Sequence, residues 1–485
     1  MKTAYLGIDI GGSGAKAGIY DLHGNLLAAA QRSYKPDAPS EGRAEIAISI
    51  IETAVRDAVQ DAVAKSGTSI RALSIVSQGQ TFVSLDAAGK ALHPALLWYD
   101  SRAGRQAEAL TLARAARPGP HHEIQAISSA AKILWLREHH PESMSRAHRH
   151  LLLPDYMTFR LMGRAVTDPH TAASTGLTTG GESYDADTLA AANIPRDSLA
   201  DILPPGYAAG TVTPAAATQW GLSPDTLVVA GTNDQYAGAM GAGLYRPGLL
   251  SVATGTCLAL VTLTPQKPES LPKGLWGGDF PIPGFYFVLA YSKTAGVALE
   301  WFQRNLAPDR SLQELDAEAA GVPIGSHGVV ACPHFDGQVS PSPNAAVRGL
   351  FGGLSLHHTR ADLFRSLVES LAFSLRDNVE HIRAQGYDLE QIRAIGGAAK
   401  SDFWLQMQAD VTGLAVQRPR ITEAATLGAA MLAAKGAGDF ASLSSSVEGL
   451  YKPGHTFTPI PDHTRQYEDP YQRYRSFLPK AAFTP

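Results

Sequence analysis

Apolar and polar residues alternate in a way that predicts the same hairpin twice along this chain. The segment "AYLGIDIGGSGAKAGIYD" predicts strands at Tyr5–Ile10 and Lys16–Tyr20, joined by a turn at Gly11–Gly14. The later segment "GLLSVATGTCLALVTLT" predicts strands at Leu249–Val252 and Cys257–Leu263. In both hairpins the turn consists mainly of Gly and hydroxyl residues.

A helix and a Gly-bearing turn follow each hairpin, so the repeat extends further. Ile51, Val55 and Val59 recur every four residues and predict a helix before "IRALSIVSQGQ". A second run with this spacing precedes "IRAIGGAAK", and its apolar positions are Leu363, Leu367, Leu371, Leu375, Val379 and Ile382. We predict a duplicated α/β unit with its boundary at 244–249.

Three turns at the ends of these strands are candidates for phosphate binding. They are Gly11-Gly12-Ser13-Gly14, Thr254-Gly255-Thr256 and Gly396-Gly397-Ala398. Gly lets successive backbone N–H groups converge on an anion, and Ser or Thr adds a hydroxyl donor. Each turn alone is equally compatible with a tight hairpin. Two lobes, 1–245 and 246–485, would leave a cleft between them, and clefts are preferred ligand sites.

Two common nucleotide motifs do not fit the chain. A Walker A motif needs Gly-Lys followed by Ser or Thr, but Ala follows the pair Gly89-Lys90. A dinucleotide fingerprint matches Gly12–Ala17 in its glycine spacing. That fingerprint should open a helix, whereas Ala15–Tyr20 alternates like a strand.

Two carboxylates stand beside these turns. Asp9 lies in the first predicted strand, just before the first turn. It would repel a phosphate unless a cation lay between them, and Mg²⁺ is the usual bridge. Asp234 follows the apolar run 227–230 and precedes a run of small residues. The residues alone leave two roles open for Asp234, a helix N-cap or a general base.

The composition is that of an ordinary globular protein with two large domains or three smaller ones. Of 485 residues, 45% are apolar and 18% are charged, and the net charge of −4 does not favour nucleic acid or an anionic membrane. Cys257 and Cys332 form no metal motif, and we expect both to be reduced and buried in a cytoplasmic protein. We find no signal-peptide pattern and no uncharged apolar run of about 18 residues.

A series of sequence blocks resembles one known family in order along the chain. The blocks are "GIDIGGSGAK", "LLWYDSR", "KILWLREHHPE", "LLLPDYMTFRLMGRAVTD", "AGTNDQYAGAMGAG", "SVATGT", "RGLFGGLSLHHTRADLFRSLVES" and "AIGGAAKSDFWLQMQADVTG". They resemble the FGGY carbohydrate kinases, which include xylulokinase, gluconokinase, glycerol kinase and erythritol kinase. The resemblance runs from Tyr5 to Ala434.

This resemblance implies an α/β fold of two ribonuclease-H-like lobes around a central cleft, as in sugar kinases, Hsp70 and actin. It also implies ATP-dependent phosphorylation of a small polyhydroxy compound, with ATP and Mg²⁺ as cofactors. By position, Asp9 is similar to the Mg²⁺-linked acid and Asp234 to the catalytic base of the family. The implied cofactor-binding residues are Gly11, Gly12, Ser13, Lys16, Thr254, Gly255, Gly296, Glu300, Gly396, Gly397 and Ser401. Among them, Lys16 is similar to a basic phosphate ligand.

The acceptor loop differs from those of the best-known subfamilies. Xylulokinases carry Gln-Met-His-Gly and glycerol kinases carry Gln-Arg-Glu-Thr, where this chain has Gln78-Gly79-Gln80-Thr81. We therefore expect a roomier, uncharged pocket at Gly79. The expected substrate residues are Gln78, Gln80, Trp98, Asp100, Asp234 and Gln235. Two roles stay open, because Trp98 is equally compatible with the core and Asp100 with an ion pair to Arg102.

The expected acceptor is a neutral ketose or linear polyol, with a pentulose or hexulose favoured. A tetritol kinase of the erythritol type and a kinase of a signalling carbonyl compound are alternatives. A non-kinase, actin-like nucleotide-binding protein is a third. The expected partners are the sugar or polyol and ATP, without nucleic acid or membrane, and a homodimer is left open.

Overall fold

The chain forms two compact units. The computed structural model describes residues 3–115, 123–178, 180, 182–255 and 257–482. The first unit holds Met1–Gly241 and Glu423–Tyr451, and the second holds Ala242–Thr422 and Lys452–Pro485. The sequence assigned Glu423–Tyr451 to the second lobe, 246–485, whereas the structure groups this segment with the first unit.

A six-stranded mixed sheet lies at the centre of the first unit. The strands of this unit are β1 (Thr3–Ile10), β2 (Gly14–Asp21), β3 (Leu26–Ser33), β4 (Glu45–Ile46), β5 (Ser69–Ser77), β6 (Phe82–Leu85), β7 (Ala95–Leu96), β8 (Arg149–Leu152), β9 (Val166–Thr167), β10 (Asp201–Ile202), β11 (Ala208–Thr211) and β12 (Leu227–Val229). The sheet has the order β11-β12-β5-β1-β2-β3, and a smaller sheet has the order β4-β7-β6-β8.

Helices surround these sheets. Up to residue 241 they are α1 (Ile48–Ser66), α2 (Gly104–Ala115), α3 (Ser129–His139), α4 (Pro141–Met144), α5 (Leu153–Met162), α6 (Pro169–Ala173), α7 (Ala186–Ala191), α8 (Pro214–Trp220) and α9 (Asp234–Gly241). The predicted helix around Ile51, Val55 and Val59 is α1, and all three side chains are buried. That prediction is confirmed.

The second unit is built on a seven-stranded sheet. Its strands are β13 (Gly248–Thr254), β14 (Leu258–Thr264), β15 (Leu275–Asp279), β16 (Tyr286–Ser292), β17 (Val330–Cys332), β18 (Leu350–Gly352), β19 (Leu389–Gly396), β20 (Ala415–Pro419) and β21 (Pro453–Phe457). The order is β15-β16-β14-β13-β19-β20-β21, and β17 and β18 form a separate pair.

The remaining helices are α10 (Gly296–Leu306), α11 (Leu312–Ala320), α12 (Arg360–Arg383), α13 (Asp402–Thr412), α14 (Ala424–Gly436), α15 (Leu443–Leu450) and α16 (Pro461–Phe477). The second predicted helix is α12, which buries its apolar face in the core of the second unit, with Leu363 at the edge. Cys332 is buried and Cys257 is half-buried, and both are free. Among the described helices, none has the length and apolar content needed to cross a bilayer.

Both large sheets repeat one topology, which confirms the duplication predicted from the sequence. In the first unit, β1 pairs antiparallel with β2 and parallel with β5. In the second unit, β13 pairs antiparallel with β14 and parallel with β19. The Gly-rich turn after β1 and the turn after β13 therefore occupy equivalent positions in their own sheets.

Helix α14 joins the first unit through direct backbone contact. A Cβ at Gly7 of β1 would lie 1.8 Å from Thr426 O, and a Cβ at Gly428 would lie 1.9 Å from Ala237 O. Only glycine permits so close an approach. The hydroxyls of Tyr20 and Thr426 lie 2.7 Å apart and share a hydrogen bond. This packing explains why Glu423–Tyr451 belongs to the first unit although it comes late in the chain.

Candidate active site

The first predicted phosphate turn, Gly11–Gly14, is closed by a backbone hydrogen bond and is held in place by Tyr34. Gly11 N donates to Gly14 O at 2.9 Å, which closes the turn between β1 and β2. Tyr34 OH donates to Gly11 O at 2.5 Å, and Tyr34 N donates to Ser13 O at 3.0 Å. The turn is thus held from the β3 side, with Gly12 at its tip.

Asp9 lies at the end of β1, in electrostatic contact with Asp234. Burial, and then the negative charge of Asp234, raise the pKa of Asp9 to about 7, while Lys16 opposes the rise. The described residues hold no group of three or more metal-ligating side chains. Mg²⁺ binds through one or two carboxylates together with phosphates and waters. A single carboxylate beside a Gly-rich turn therefore fits Mg²⁺ bound together with ATP.

Lys16 contacts a residue that the sequence did not single out. Its Nζ donates to Glu423 Oε2 at 2.7 Å, and both side chains are about two-fifths exposed. Strand pairing sets Lys16 opposite Asp9. The cation expected to bind phosphate is therefore held between two carboxylates in the structure.

Asp234 begins helix α9, and Asn233 caps that helix. Asn233 Oδ1 accepts a hydrogen bond from Gln235 N at 3.0 Å, which is the capping contact that the sequence offered for Asp234. Burial raises the pKa of Asp234 to about 6, and the backbone N–H groups of Gln235 and of Asp234 itself limit the rise. Gln235, an expected substrate residue, has an exposed side chain.

Gln78 and Trp98 lie beside the phosphate turn. A Cβ at Gly12 would lie 3.6 Å from Gln78 Oε1 and 3.8 Å from Trp98 Nε1. Thr81 fixes both residues, because its Oγ1 accepts from Gln78 Nε2 at 3.1 Å and from Trp98 N at 3.0 Å. Trp98 is 42% exposed and so is not a core residue.

Gln80 is positioned through its backbone by a buried cation. Lys132 is fully buried on α3, and its Nζ donates to Gln80 O at 3.0 Å and to Leu97 O at 2.8 Å. Ser129 Oγ also donates to Gln80 O, at 3.2 Å. The two segments that carry Gln80 and Trp98 are therefore joined at one ammonium group.

Two features of the expected acceptor pocket differ in the structure. Asp100 is fully buried, and it accepts hydrogen bonds from Arg102 at 2.6 to 3.0 Å and from Ala44 N at 2.7 Å. The ion-pair alternative thus describes Asp100 in the structure. The expected room at Gly79 is also absent, because a Cβ there would lie 2.2 Å from Ser174 Oγ.

The predicted nucleotide residues of the second unit meet at the ends of β13 and β19. Gly296 N donates to Gly255 O at 2.8 Å, which joins the start of α10 to the turn after β13. Gly396 has a φ of 90°, and a Cβ there would lie 2.5 Å from Thr254 O. Gly397 lies next to this contact, since its Cβ would be 3.8 Å from the same oxygen. Three chain segments thus supply one glycine-lined surface.

Glu300 and Ser401 lie at the edges of this group. Glu300 is exposed on α10. Ser401 precedes α13, and its Oγ accepts from Trp404 N at 3.1 Å as an N-cap. Thr256, the third residue of the predicted turn, lies outside the described residues.

Comparison with known proteins identifies the chain. Residues 4–241 match the N-terminal domain, and residues 248–437 the C-terminal domain, of the FGGY family of carbohydrate kinases. The chain belongs to this family. It is therefore a phosphotransferase enzyme, and the predicted family and enzyme class are confirmed.

Relatives across the FGGY family cover almost the whole chain. A xylulose kinase from Staphylococcus epidermidis is 29% identical over 98% of this chain and 96% of its own. An autoinducer-2 kinase from an Enterobacter species is 28% identical over 97% of this chain and 93% of its own. The solved xylulose kinase from Rhodospirillum rubrum has a TM-score of 0.84 and 28% identity, covering 98% of both chains. The two-lobed α/β fold of sugar kinases is confirmed.

Three residues of the first unit were missed in the sequence: Ser174, Asn233 and Glu423. They contact Gly79 or Lys16 in the structure. Asn233 carried a usable signal, since it directly precedes Asp234 in "TNDQ". Ser174 and Glu423 carried none, because their partners are distant in sequence.

Proposed function

We propose that this kinase phosphorylates a small neutral sugar or polyol at a terminal hydroxyl, using ATP, with a pentulose or hexulose favoured. The observation that supports it most directly is the convergence of Gly12, Gln78 and Trp98. A phosphate turn and two side chains able to bind hydroxyls are thereby neighbours. The relatives named xylulose kinase support a ketose of this size.

In this proposal Asp234 is the general base. A sugar hydroxyl is a poor nucleophile until its proton has an acceptor. With a pKa of about 6, the Asp234 carboxyl is mostly ionised at neutral pH and still basic enough to accept that proton. Much of the acceleration would come from positioning and from backbone N–H groups directed at the phosphates.

We propose that Asp9 and Lys16 serve the phosphate side of the reaction. Mg²⁺ bound with ATP would neutralise phosphate charge, and Asp9 is the residue that would hold it. Lys16 would exchange its Glu423 contact for a phosphate oxygen. The glycine-lined surface of Thr254, Gly255, Gly296, Gly396 and Gly397 would bind the nucleotide, with Glu300 and Ser401 at its edges. Because the reaction uses ATP, the cytoplasm is the proposed compartment.

A signalling carbonyl compound is the second candidate acceptor. The observation that favours it is the autoinducer-2 kinase relative, which is nearly as similar as the xylulose kinases. Tetritols remain a further candidate because Gln78 and Gln80 are neutral amides that suit any hydroxyl. For the same reason we expect gluconate to be a poor substrate unless a Lys or Arg from another loop reaches its carboxylate, since an amide cannot neutralise it.

The test is ADP release with ATP, Mg²⁺ and one acceptor at a time. The panel contains pentuloses, hexuloses, tetritols, glycerol, gluconate and a phosphorylatable signalling carbonyl compound. We expect the highest kcat/KM with a pentulose or hexulose. ADP release that does not depend on any acceptor would contradict the proposal and would favour a nucleotide-binding protein of the actin type.

A further inference from the structure

Gly79 faces two side chains from other parts of the first unit. A Cβ at Gly79 would lie 2.2 Å from Ser174 Oγ, 3.1 Å from Ser174 Cβ and 3.6 Å from Asn233 Nδ2. A bridge between Ser77 and Asn233 brings the end of β5 next to the turn before α9. The acceptor loop, the end of α6 and the turn that carries Asp234 therefore meet at one point.

Hydrogen bonds fix both side chains and determine what each can offer a ligand. Ser174 Oγ donates to Thr171 O at 2.7 Å, so the hydroxyl proton is used and its lone pairs remain. Asn233 Oδ1 accepts from Gln235 N, so the amide N–H groups remain. Both side chains are half-buried, which makes them accessible to a small molecule.

The end of α6 is tied to the turn that carries Asn233. Asp168 Oδ1 caps α6, accepting from His170 N at 3.0 Å and from Thr171 N at 3.2 Å. The same oxygen accepts from Thr232 Oγ1 at 3.1 Å. Asp168 is buried, so these bonds are shielded from water. Ser174 and Asn233 are consequently held in a fixed relation to each other and to Asp234.

We propose that Ser174 and Asn233 are specificity-determining residues that bind one hydroxyl of the acceptor beside Gly79. The inference rests on the proposed function. A hydroxyl can donate to Ser174 Oγ while it accepts from Asn233 Nδ2. A carbonyl or carboxylate oxygen cannot donate, and it would face the Ser174 lone pairs. The site therefore selects a hydroxyl over a carbonyl or carboxylate at this position of the acceptor.

A mutational cycle tests the steric part of the proposal. Gly79→Ala should lower kcat/KM for the acceptor at least about tenfold, because the new Cβ overlaps Ser174 Oγ. Ser174→Gly alone should lower kcat/KM about 2- to 12-fold, and Gly79→Ala should add little further loss in that background, because the overlapping side chain is gone. KM for ATP should stay within about twofold throughout. An unchanged kcat/KM in Gly79→Ala, or effects of Gly79→Ala and Ser174→Gly that simply add, would overturn the proposal.

Ser174→Ala tests the chemical part and keeps the proposal testable if Gly79→Ala misfolds. Loss of one neutral hydrogen bond should lower acceptor kcat/KM about 2- to 12-fold. An acceptor that lacks the bound hydroxyl should be equally poor with wild type and with Ser174→Ala. Ser145→Ala is the matched control, since Ser145 Oγ donates to Glu142 O with the same three-residue spacing but is exposed.

The outcomes distinguish a failure of the proposed kinase function from a failure of the proposed hydroxyl site. A wild-type enzyme inactive on every neutral acceptor refutes the proposed function. An active wild type with unchanged acceptor preference in Ser174→Ala and in Asn233→Ala refutes only the present inference. Reduced kcat/KM for hydroxyl-bearing acceptors in both variants, with Ser145→Ala unchanged, supports it.

Discussion

Among single side chains, Asp9 and Asp234 have raised pKa values for partly different reasons. Burial is the main cause for both. The charge of Asp234 adds to the rise at Asp9, whereas Asp234 is stabilised by helix N–H groups. Asp234 is consequently the more readily ionised of the two at neutral pH, which suits the general-base role proposed for it.

The pH dependence of the reaction should report the ionisation of Asp234. Its pKa of about 6 predicts that kcat/KM for the acceptor falls below pH 6, by about tenfold per pH unit, because the protonated carboxyl cannot accept the hydroxyl proton. In Asp234→Asn, kcat/KM for the acceptor should be about 10²- to 10⁴-fold lower, and its pH profile should lack the fall below pH 6. A normal turnover in that variant, with its circular dichroism unchanged, would remove Asp234 from the role of base.

Lys132 is expected to act as a positioning residue for the acceptor loop. Burial lowers the pKa of Lys132 to about 7, because an ammonium group loses its hydration in the interior. Lys132→Met removes one donor from Gln80 O and one from Leu97 O, which keep Ser129 Oγ and Asp100 N as donors. We expect the free energy of unfolding to fall by about 0.5–1.5 kcal/mol for each hydrogen bond lost.

The Lys132→Met substitution should change the Michaelis constant for the acceptor. We expect Lys132→Met to raise KM for the acceptor at least about fivefold, a cost of around 1 kcal/mol, while KM for ATP changes little. The control is Lys435→Met, since Lys435 Nζ donates to Gly206 O at 3.1 Å elsewhere in the first unit. An equal rise in both Michaelis constants would show a general loss of structure.

The sequence located some residues of this candidate site and missed others. Asp9, Gly12 and Gln78 were predicted because each follows or ends a strand with a clear apolar pattern. Glu423 was not, since it lies 407 positions from Lys16. The space at Gly79 was misjudged for the same reason, because a sequence does not show what packs opposite a glycine.

Among helices and strands, long periodic segments were predictable and short ones were not. α1 and α12 have apolar residues at helical spacing over several turns, and β1 is an eight-residue strand with six buried residues. β4 and β7 have two residues each, too few to show a period. Their pairing depends on tertiary contacts instead.

Helix α9 offers a direct test of the glycine packing against α14. A Cβ at Gly241 would lie 1.8 Å from Ala424 O, whereas a Cβ at Gly238 would meet nothing within 4 Å. Gly241→Ala should lower the free energy of unfolding by about 1–3 kcal/mol, because backbone must move. Gly238→Ala should be neutral or stabilising by up to about 1 kcal/mol, since alanine favours helix. Urea unfolding of the two variants makes the comparison, and equal stabilities would contradict the packing.

For the chain as a whole, we expect segments of the same unit to open together, even where they are far apart in the sequence. Native-state hydrogen exchange in increasing urea reports which segments open together. We expect the amides of α14 to open with β1, although β20 and β21 flank α14 in sequence. Those two strands should open with the seven-stranded sheet. Exchange of α14 together with β20 would show that the grouping is wrong.

The late position of α14 also has a consequence for biosynthesis. Protein domains generally fold as they leave the ribosome, beginning at the amino end. Here the glycine surface of β1 is made early, but its covering helix emerges only after Thr422. The first unit thus cannot complete its fold until its late segment, Glu423–Tyr451, has been translated. A nonsense mutation before α14 would therefore leave the glycine surface of β1 uncovered, and we expect it to disable the half of the enzyme that had already been translated.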